Sequence, residues 1–288
     1  MNIVVTNDDG LHTPGIWLLA QAALPYGNVS VVAPDREQSG VGVGVTLQHP
    51  VKISEAIPRI EGVKALAVEG TPADSVLLAL QGLTPKPVDL LVSGINEGAN
   101  LGMNVLVSGT VGAAFQAHFF GVPAIAFSVA TPTAEGEAGK PRTRQRANFS
   151  VAAKLARVLI KMFRDGVLGG SVLLNVNFPN IPLSEIEGIS VTKLAKGKYG
   201  ETLEKLPTDR HDYYWIGRGR PEWIVEEGTD VWAVRNKRIS ITPLHIDLTH
   251  DVSSPLLAGF APDIFRELKD GTSALAPEAA PAAPQRTP

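Results

Sequence analysis

Short apolar runs alternate with segments of helical periodicity along the first part of the chain. The apolar runs occupy residues 3–5, 29–33, 63–68, 88–92, 124–129 and 171–178. Apolar side chains at helical spacing occur between several of these runs, at residues 15–24, 108–120 and 147–163. Strands that are apolar throughout are typical of a parallel sheet covered by helices. The pattern therefore predicts an α/β domain over residues 1–180.

The pattern changes after residue 180. Short strands separated by long polar connections are predicted at residues 188–191, 213–216, 231–234 and 239–241. We therefore expect a β-rich annex over residues 181–270, closed by a short helix at residues 264–268. Residues 271–288 are rich in Ala and Pro and are expected to form a disordered tail. A polar segment at residues 131–146 is expected to form a mobile surface loop.

The composition excludes several classes of function. The chain has 288 residues, of which 44% are hydrophobic and 19% charged, as in an ordinary globular protein. Its net charge of -3 provides no general attraction to duplex nucleic acid or to anionic membranes. The absence of cysteine excludes disulfides, thiolate metal ligands and thiol nucleophiles. No leader and no apolar run of about 20 residues is found, which predicts a cytoplasmic protein without a membrane span.

An acidic turn follows the first apolar run, where Asp8 and Asp9 are adjacent in sequence. Ligands of parallel sheets bind beyond the carboxyl ends of the strands, so these carboxylates lie where chemistry is usually carried out. Two neighbouring carboxylates repel each other unless a cation lies beside them, and oxygen ligands suit a hard divalent cation. We therefore predict a metal site. The alternative is an Asx-type turn that only caps the next helix.

Further loops should reach the same edge of the sheet. Residues 34–40 form a polar loop after the second strand, and Asn96 lies in a glycine-rich loop after residues 88–92, where it could supply a neutral oxygen ligand. Ser108, Gly109 and Thr110 precede an Ala-rich helix, whose free amides and hydroxyls suit phosphate oxygens. Asn96 could instead be a turn residue, and Ser108 or Thr110 could simply be an N-cap.

A further helix start is predicted at Thr71. Pro72 occupies the first helical position and Asp74 lies in the first turn, both of which are typical of helix N-termini. Capping by Thr71 accounts for this pattern, although the same helix end could also face an anion. No G-x-G-x-x-G, P-loop or G-x-S-x-G motif was found, which disfavours dinucleotide, ATP-type and serine-hydrolase functions.

Four separated motifs together resemble the SurE family of survival-protein 5'-nucleotidases. They are VTNDDG at residues 5–10, APDREQSG at 33–40, SGINEGANLG at 93–102 and SGTVGAA at 108–114, and shorter matches extend to about residue 248. The resemblance implies a Rossmann-like α/β fold, with a mostly parallel sheet, helices on both faces and a β-rich C-terminal part that joins subunits into a homodimer or homotetramer. It also implies a metal-dependent phosphomonoesterase acting on nucleoside 5'-monophosphates, with 3'-monophosphates and short polyphosphate as further substrates.

The resemblance also assigns site residues and one divalent cation per subunit, Mg²⁺ or Mn²⁺. Its ligands would be Asp8, Asp9, Ser39 and Asn96. Of these, we expect Asp8, Asp9 and Asn96 to be catalytic. The phosphate-binding residues would be Ser39, Gly40, Asn96, Ser108, Gly109 and Thr110. The chain departs from the family pattern at Gln116, where Glu is common, and at Lys193, where Arg is common; Lys193 cannot make the forked contact of Arg.

The expected mechanism is attack by a metal-activated water without a covalent enzyme intermediate. Asp8 or Asp9 would accept the proton, while Asn96 and residues 108–110 stabilise charge on the phosphoryl group. One alternative is catalysis through an aspartyl phosphate, which is disfavoured because adjacent aspartates point in different directions. The other is a non-catalytic nucleotide or metal sensor that uses the same pocket.

Overall fold

The computed structural model describes residues 1–131, 147–198, 200–206, 212–218, 221–249 and 253–269. The predicted tail at residues 271–288 and almost all of the predicted loop at 131–146 lie outside these residues. Elements of the first part are β1 (Asn2–Thr6), α1 (Pro14–Ala23), β2 (Asn28–Pro34), β3 (Ile53–Glu55), β4 (Lys64–Val68), α2 (Pro72–Leu78), β5 (Leu90–Glu97), α3 (Gly109–Phe119), β6 (Ala124–Ala130), α4 (Ser150–Arg164) and β7 (Leu173–Pro179).

The later elements are shorter. They are β8 (Gly188–Val191), β9 (Gly197–Lys198), β10 (Glu201–Leu206), β11 (Tyr213–Arg218), β12 (Glu222–Trp223), α5 (Asp230–Arg235), β13 (Arg238–Pro243) and α6 (Ser253–Lys269). The chain divides into two compact units, Met1–His245 and Ile246–Pro288. In the second unit the structure describes residues 246–249 and α6, which is longer than the short closing helix that we predicted. The domain boundaries predicted after residues 180 and 270 stay predictions.

A nine-stranded sheet has the order β3-β4-β2-β1-β5-β6-β7-β13-β8. The six strands from β4 to β7 in this order are all parallel, which confirms the predicted Rossmann-like α/β fold. At its ends, β3 is antiparallel to β4, and β13 is antiparallel to β7. The chain moves from β1 to one side for β2 and β4, then returns to the other side for β5. The topological switch point, where such sheets bind ligands, therefore lies between β1 and β5.

Helices cover both faces of this sheet, as predicted. Successive side chains of a strand point to opposite faces, so Val4 of β1 packs in one core cluster whereas Ile3 and Val5 pack in the other. The first cluster includes residues of α2 and α3, and the second includes residues of α1 and α4. Each helix therefore buries an apolar stripe against strands that are apolar throughout.

The prediction for residues 181–270 was wrong in two respects. Residues 231–234 lie in helix α5, whose N-cap Thr229 accepts a hydrogen bond from the Trp232 N–H at 3.3 Å. The apolar run alone is compatible with either element, and the cap decides in favour of a helix. The strands predicted at 188–191 and 239–241 exist as β8 and β13, but they extend the main sheet. Among the strands that the structure describes, the two-stranded ribbons β10–β11 and β9–β12 are separate from it.

Candidate active site

The turn after β1 is shaped by the buried side chain of Asn7. Its Nδ2 donates to the Gly10 carbonyl oxygen at 3.1 Å and to Thr13 Oγ1 at 3.0 Å. Its Oδ1 accepts from the Gly10 N–H at 3.2 Å, and Gly10 has the positive φ of 97° that this turn requires. An Asx-type turn is therefore present, but Asn7 makes it, which leaves the carboxylates of Asp8 and Asp9 for another role.

Asp8 packs against the N-terminus of α3. It is 4% exposed, and its Oδ1 accepts a hydrogen bond from the hydroxyl of Thr110. A Cβ on Gly109 would lie 2.7 Å from the Asp8 Cβ, so only glycine permits this approach. The positive end of a helix stabilises a nearby carboxylate. The structure thus brings together Asp8, Gly109 and Thr110, as the sequence predicted for a single site.

The negative charge of the Asp9 carboxylate has fewer stabilising partners than that of Asp8. The pKa of Asp9 is raised from 3.8 to about 7, chiefly by burial and then by the negative charge of Asp8. The charges of Glu37 and Glu97 raise this pKa further, whereas the Glu97 N–H, which donates to Asp9 Oδ2 at 3.2 Å, lowers it. A partly buried carboxylate beside further negative charges is an environment that a divalent cation would stabilise.

Asn96 lies at the end of β5, beside the acidic turn. It is 8% exposed, and its Nδ2 donates to the Gly98 carbonyl oxygen at 2.7 Å. This hydrogen bond orients the amide group, and Oδ1 accepts no hydrogen bond from the described part of the chain. The Glu97 N–H that binds Asp9 follows directly, so the carboxylate of Asp9 lies against the peptide between residues 96 and 97. Asn96 is thus held where its neutral oxygen can serve as a ligand.

The loop after β2 reaches the same site through its main chain. The Gln38 N–H donates to the Asp8 carbonyl oxygen at 2.7 Å. Ser39 and Gly40 follow and are both exposed. The Ser39 hydroxyl donates to Glu37 Oε1 at 2.8 Å, so it takes a carboxylate partner within its own loop. The main chain thus brings Ser39 next to the residue that binds the Asp8 carbonyl oxygen, and its role as a metal ligand stays a prediction.

The start of α3 offers donors for an anion. Ser108 is the N-cap, and its Oγ accepts from the Val111 N–H at 3.1 Å. The first N–H groups of an α-helix have no acceptor within the helix, and those of Gly109 and Thr110 belong to this group. Ser108, Gly109 and Thr110 are all buried. The capping role and the phosphate-binding role can therefore coexist in the predicted segment.

A buried amide network that we did not predict supports the loop after β5. The Asn100 N–H donates to Asn177 Oδ1 at 2.8 Å, and the Asn100 Nδ2 donates to Ser128 Oγ at 2.8 Å. In return, Asn175 and Asn177 donate to the Asn100 carbonyl oxygen at 2.8 and 3.1 Å. Polar residues alternating within the buried strand β7 were the available signal, because buried amides require partners.

The candidate metal site depends on two carboxylates. Among the described residues, no group of three or more His, Cys, Asp or Glu side chains could hold a metal ion. Asp8 and Asp9 would therefore act with neutral oxygens, a donor set that suits Mg²⁺ or Mn²⁺. Of the two departures from the family pattern, Gln116 is buried in α3, while Lys193 is exposed with its Nζ 3.8 Å from Glu226.

Comparison with known proteins shows the family to which the chain belongs. The family model described as survival protein SurE matches residues 3–201. The chain belongs to the SurE family. A protein named 5'-nucleotidase SurE from Geobacter sulfurreducens is 43% identical over 258 residues, which cover 89% of this chain and 92% of that protein. The protein of the same name from Dehalococcoides mccartyi strain CBDB1 is 42% identical over 245 residues, which cover 85% and 89%.

A solved SurE structure shares the fold. The crystal structure of the SurE protein from Aquifex aeolicus aligns with a TM-score of 0.72 at 37% identity. The alignment covers 90% of this chain and 99% of that chain. The resemblance drawn from four motifs is thereby confirmed. Among the described residues of this SurE family member, none of the helices is long and apolar enough to cross a membrane.

Proposed function

We propose that the protein is a divalent-metal-dependent phosphomonoesterase that hydrolyses nucleoside 5'-monophosphates. The observation that carries the proposal is the adjacent carboxylate pair at the switch point, of which Asp8 packs against the first turn of α3 and accepts a hydrogen bond from the Thr110 hydroxyl. The carboxylates suit a cation, and the helix end suits a phosphate group. The name 5'-nucleotidase, which the similar proteins carry, supports the choice of substrate.

In this proposal, Asp8, Asp9, Ser39 and Asn96 hold one Mg²⁺ or Mn²⁺ ion. When bound, such a cation supplies polarisation of the phosphoryl group and a more acidic water. The donor set fits this role because one carboxylate of the pair, Asp9, has negative charges beside it that the protein does not neutralise. The other carboxylate, Asp8, is already held by the hydroxyl of Thr110.

The residues of the chain have different roles in hydrolysis. Asp9 is the better candidate to accept a proton from the attacking water, because its carboxylate receives only the Glu97 N–H within the described chain. The N–H groups of Gly109 and Thr110, together with the Ser108 hydroxyl, stabilise negative charge on the transferring phosphoryl group. Gly40 and Asn96 complete the phosphate pocket.

The decisive assay measures phosphate release from AMP, GMP and p-nitrophenyl phosphate, with Mn²⁺ and with a chelator. We expect metal-dependent release that Asp9→Asn lowers at least ~100-fold in kcat. The matched control is Asp165→Asn, which makes the same chemical change at the exposed C-cap of α4, where Lys161 and Arg164 pair with Asp165. This control should retain wild-type activity.

Two other outcomes would replace the proposal. Tight nucleotide binding by the wild type without metal-dependent turnover would indicate a sensor. Trapping with beryllium fluoride, followed by detection of a modified aspartate, would indicate an aspartyl-phosphate mechanism. We expect no such modification. The same assay with nucleoside 3'-monophosphates and short polyphosphate defines the substrate range.

The proposal includes a homodimer or homotetramer in the cytoplasm. Large apolar side chains on the β10–β11 ribbon support self-association, since Leu203, Trp215 and Ile216 are 55–73% exposed. Light scattering after size-exclusion chromatography measures the mass of the assembly, and a monomer at all concentrations would contradict this part. Cell fractionation tests the location.

A further inference from the structure

Three attachments hold the loop segment at residues 38–46. Its first attachment is the hydrogen bond from the Gln38 N–H to the Asp8 carbonyl oxygen. In the second, the Gly42 N–H donates to the Val107 carbonyl oxygen at 3.0 Å, one residue before the phosphate-binding segment. Gly42 also lies over α3, because a Cβ on Gly112 would be 2.2 Å from the Gly42 carbonyl oxygen. Ser39 and Gly40 lie between these two attachments.

The third attachment joins the loop to the N-terminus of α2. The Thr46 N–H donates to Asp74 Oδ1 at 2.8 Å, and the Thr46 hydroxyl donates to Asp74 Oδ2 at 2.7 Å. The Thr71 hydroxyl donates to the Gly44 carbonyl oxygen at 2.7 Å. Asp74 is 2% exposed, and its two hydrogen bonds with Thr46 are partly buried.

The same residues form a capping box within α2. The Asp74 N–H donates to the Thr71 hydroxyl at 3.0 Å, and the Thr71 N–H donates to Asp74 Oδ2 at 2.9 Å. A capping box requires only these two hydrogen bonds. The additional contacts to Gly44 and Thr46 extend outward to the loop, so capping of α2 does not account for them.

We propose that Asp74 and Thr71 are positioning residues, which fix the loop at residues 39–46 as a wall of the phosphate pocket. The inference rests on the proposed phosphatase function and assigns a role to a helix end that the reaction itself does not use. The three attachments hold Ser39 and Gly40 between Asp8 and the first turn of α3. Loss of the third attachment, to Asp74 and Thr71, should displace this wall of the pocket. We expect phosphate binding to weaken more than the chemical step slows, because the wall contacts the bound phosphate and not the attacking water.

Thr46→Val tests this inference without disturbing the capping box. It removes one hydroxyl donor from Asp74 and leaves both Thr71–Asp74 hydrogen bonds in place. We expect the KM for AMP to rise about fivefold with kcat within about twofold of wild type. Hydrogen exchange of the peptide covering residues 39–48 should accelerate. Thr46→Ser keeps the hydroxyl and should restore both values.

Ser75→Ala is the matched control. It removes a hydrogen bond from the Ser75 hydroxyl to the Thr71 carbonyl oxygen at 3.1 Å, in the same turn of α2, but does not touch the loop. The control should leave the KM unchanged. An equal rise in KM for both variants would overturn the inference, because it would indicate general destabilisation of α2. Faster exchange in Thr46→Val with unchanged KM would also overturn it.

A binding measurement separates this inference from the proposed function. Calorimetry with AMP and Mn²⁺ reports affinity whether or not turnover occurs. Wild type that binds AMP without releasing phosphate would refute the proposed function alone, and weaker binding by Thr46→Val would then still support the role of Asp74. Equal affinity of wild type and Thr46→Val would refute the positioning role alone.

Discussion

Asp9→Asn should stabilise the metal-free protein, by an amount that depends on pH. The substitution keeps the shape of the side chain and removes a carboxylate whose pKa is raised from 3.8 to about 7 by burial and by the charge of Asp8. The folded protein therefore binds this proton more tightly than the unfolded chain does. Consequently the stability of the wild type falls as pH rises from about 4 to about 7, whereas the variant lacks this loss.

The size of the effect follows from the shift in pKa. One pKa unit corresponds to ~1.4 kcal/mol, so a rise from 3.8 to about 7 corresponds to ~4 kcal/mol of folding free energy. Part of this cost is recovered when the ionised group relaxes toward solvent. We therefore expect Asp9→Asn to be about 2–4 kcal/mol more stable than wild type near pH 8, and within ~1 kcal/mol near pH 4. Urea unfolding in EDTA at a series of pH values measures both differences.

Asp165→Asn is the control, because the pKa of Asp165 is lowered whereas that of Asp9 is raised. Hydrogen bonds from Lys161 and Arg164 lower the pKa of Asp165, so this group is ionised in folded and unfolded chains throughout the range from about pH 5 to pH 8. Its substitution should shift stability by an amount that does not vary over that range.

Mn²⁺ should raise the unfolding temperature of wild type much more than that of Asp9→Asn. If Asp9→Asn lowers stability equally at both ends of the pH series, the reasoning is refuted.

Three further substitutions test contacts within and beneath the site. Thr110→Val removes the hydroxyl donor to Asp8 and should lower kcat for AMP about 10- to 100-fold in the phosphate-release assay. Gly109→Ala places a methyl group 2.7 Å from the Asp8 Cβ, and we expect kcat/KM to fall at least ~10-fold in the same assay. Asn177→Leu leaves the buried Asn100 N–H without its acceptor, so the free energy of unfolding in urea should fall by about 2–3 kcal/mol.

Each of these variants has a control. Thr110→Ser keeps the hydroxyl and should remain near wild type, so an equal loss in both variants would contradict the role of this donor. Gly259→Ala adds a methyl group where nothing lies within 4 Å and should leave activity unchanged. Full activity in Gly109→Ala would contradict the close packing of α3 on Asp8. Unchanged stability in Asn177→Leu would show that Asn100 finds another acceptor.

Features determined by neighbouring residues were predictable from the sequence. The apolar run of β1 followed by an acidic turn predicted the place of Asp8 and Asp9, because strand burial and turn chemistry are both local. The capping box of α2 was also local, since Thr71 and Asp74 are three residues apart. The hydrogen bond between Asp8 and Thr110 was not predicted, because it joins residues 102 apart in sequence.

Features that depend on long-range pairing were missed. The apolar content of residues 188–191 and 239–241 predicted strands, but not that β8 and β13 pair with each other and extend the main sheet. At residues 231–234, an apolar run too short to show a period was interpreted as a strand, although Thr229 provides a helix cap. The hydrogen bonds of Thr46 with Asp74 were also not predicted, because the sequence does not show which loop approaches the N-terminus of α2.

The acidic turn combines two carboxylates in different environments. The first turn of α3 and the hydroxyl of Thr110 stabilise the charge of Asp8, so this residue is fixed within the protein. Burial and the neighbouring charges of Asp8, Glu37 and Glu97 oppose the charge of Asp9. A cation that binds here therefore gains most from Asp9, whereas Asp8 maintains the geometry toward the phosphate-binding helix end. For this reason, substitution of Asp9 should weaken metal binding and raise the stability of the metal-free protein. Substitution of Asp8 should reduce both metal binding and stability.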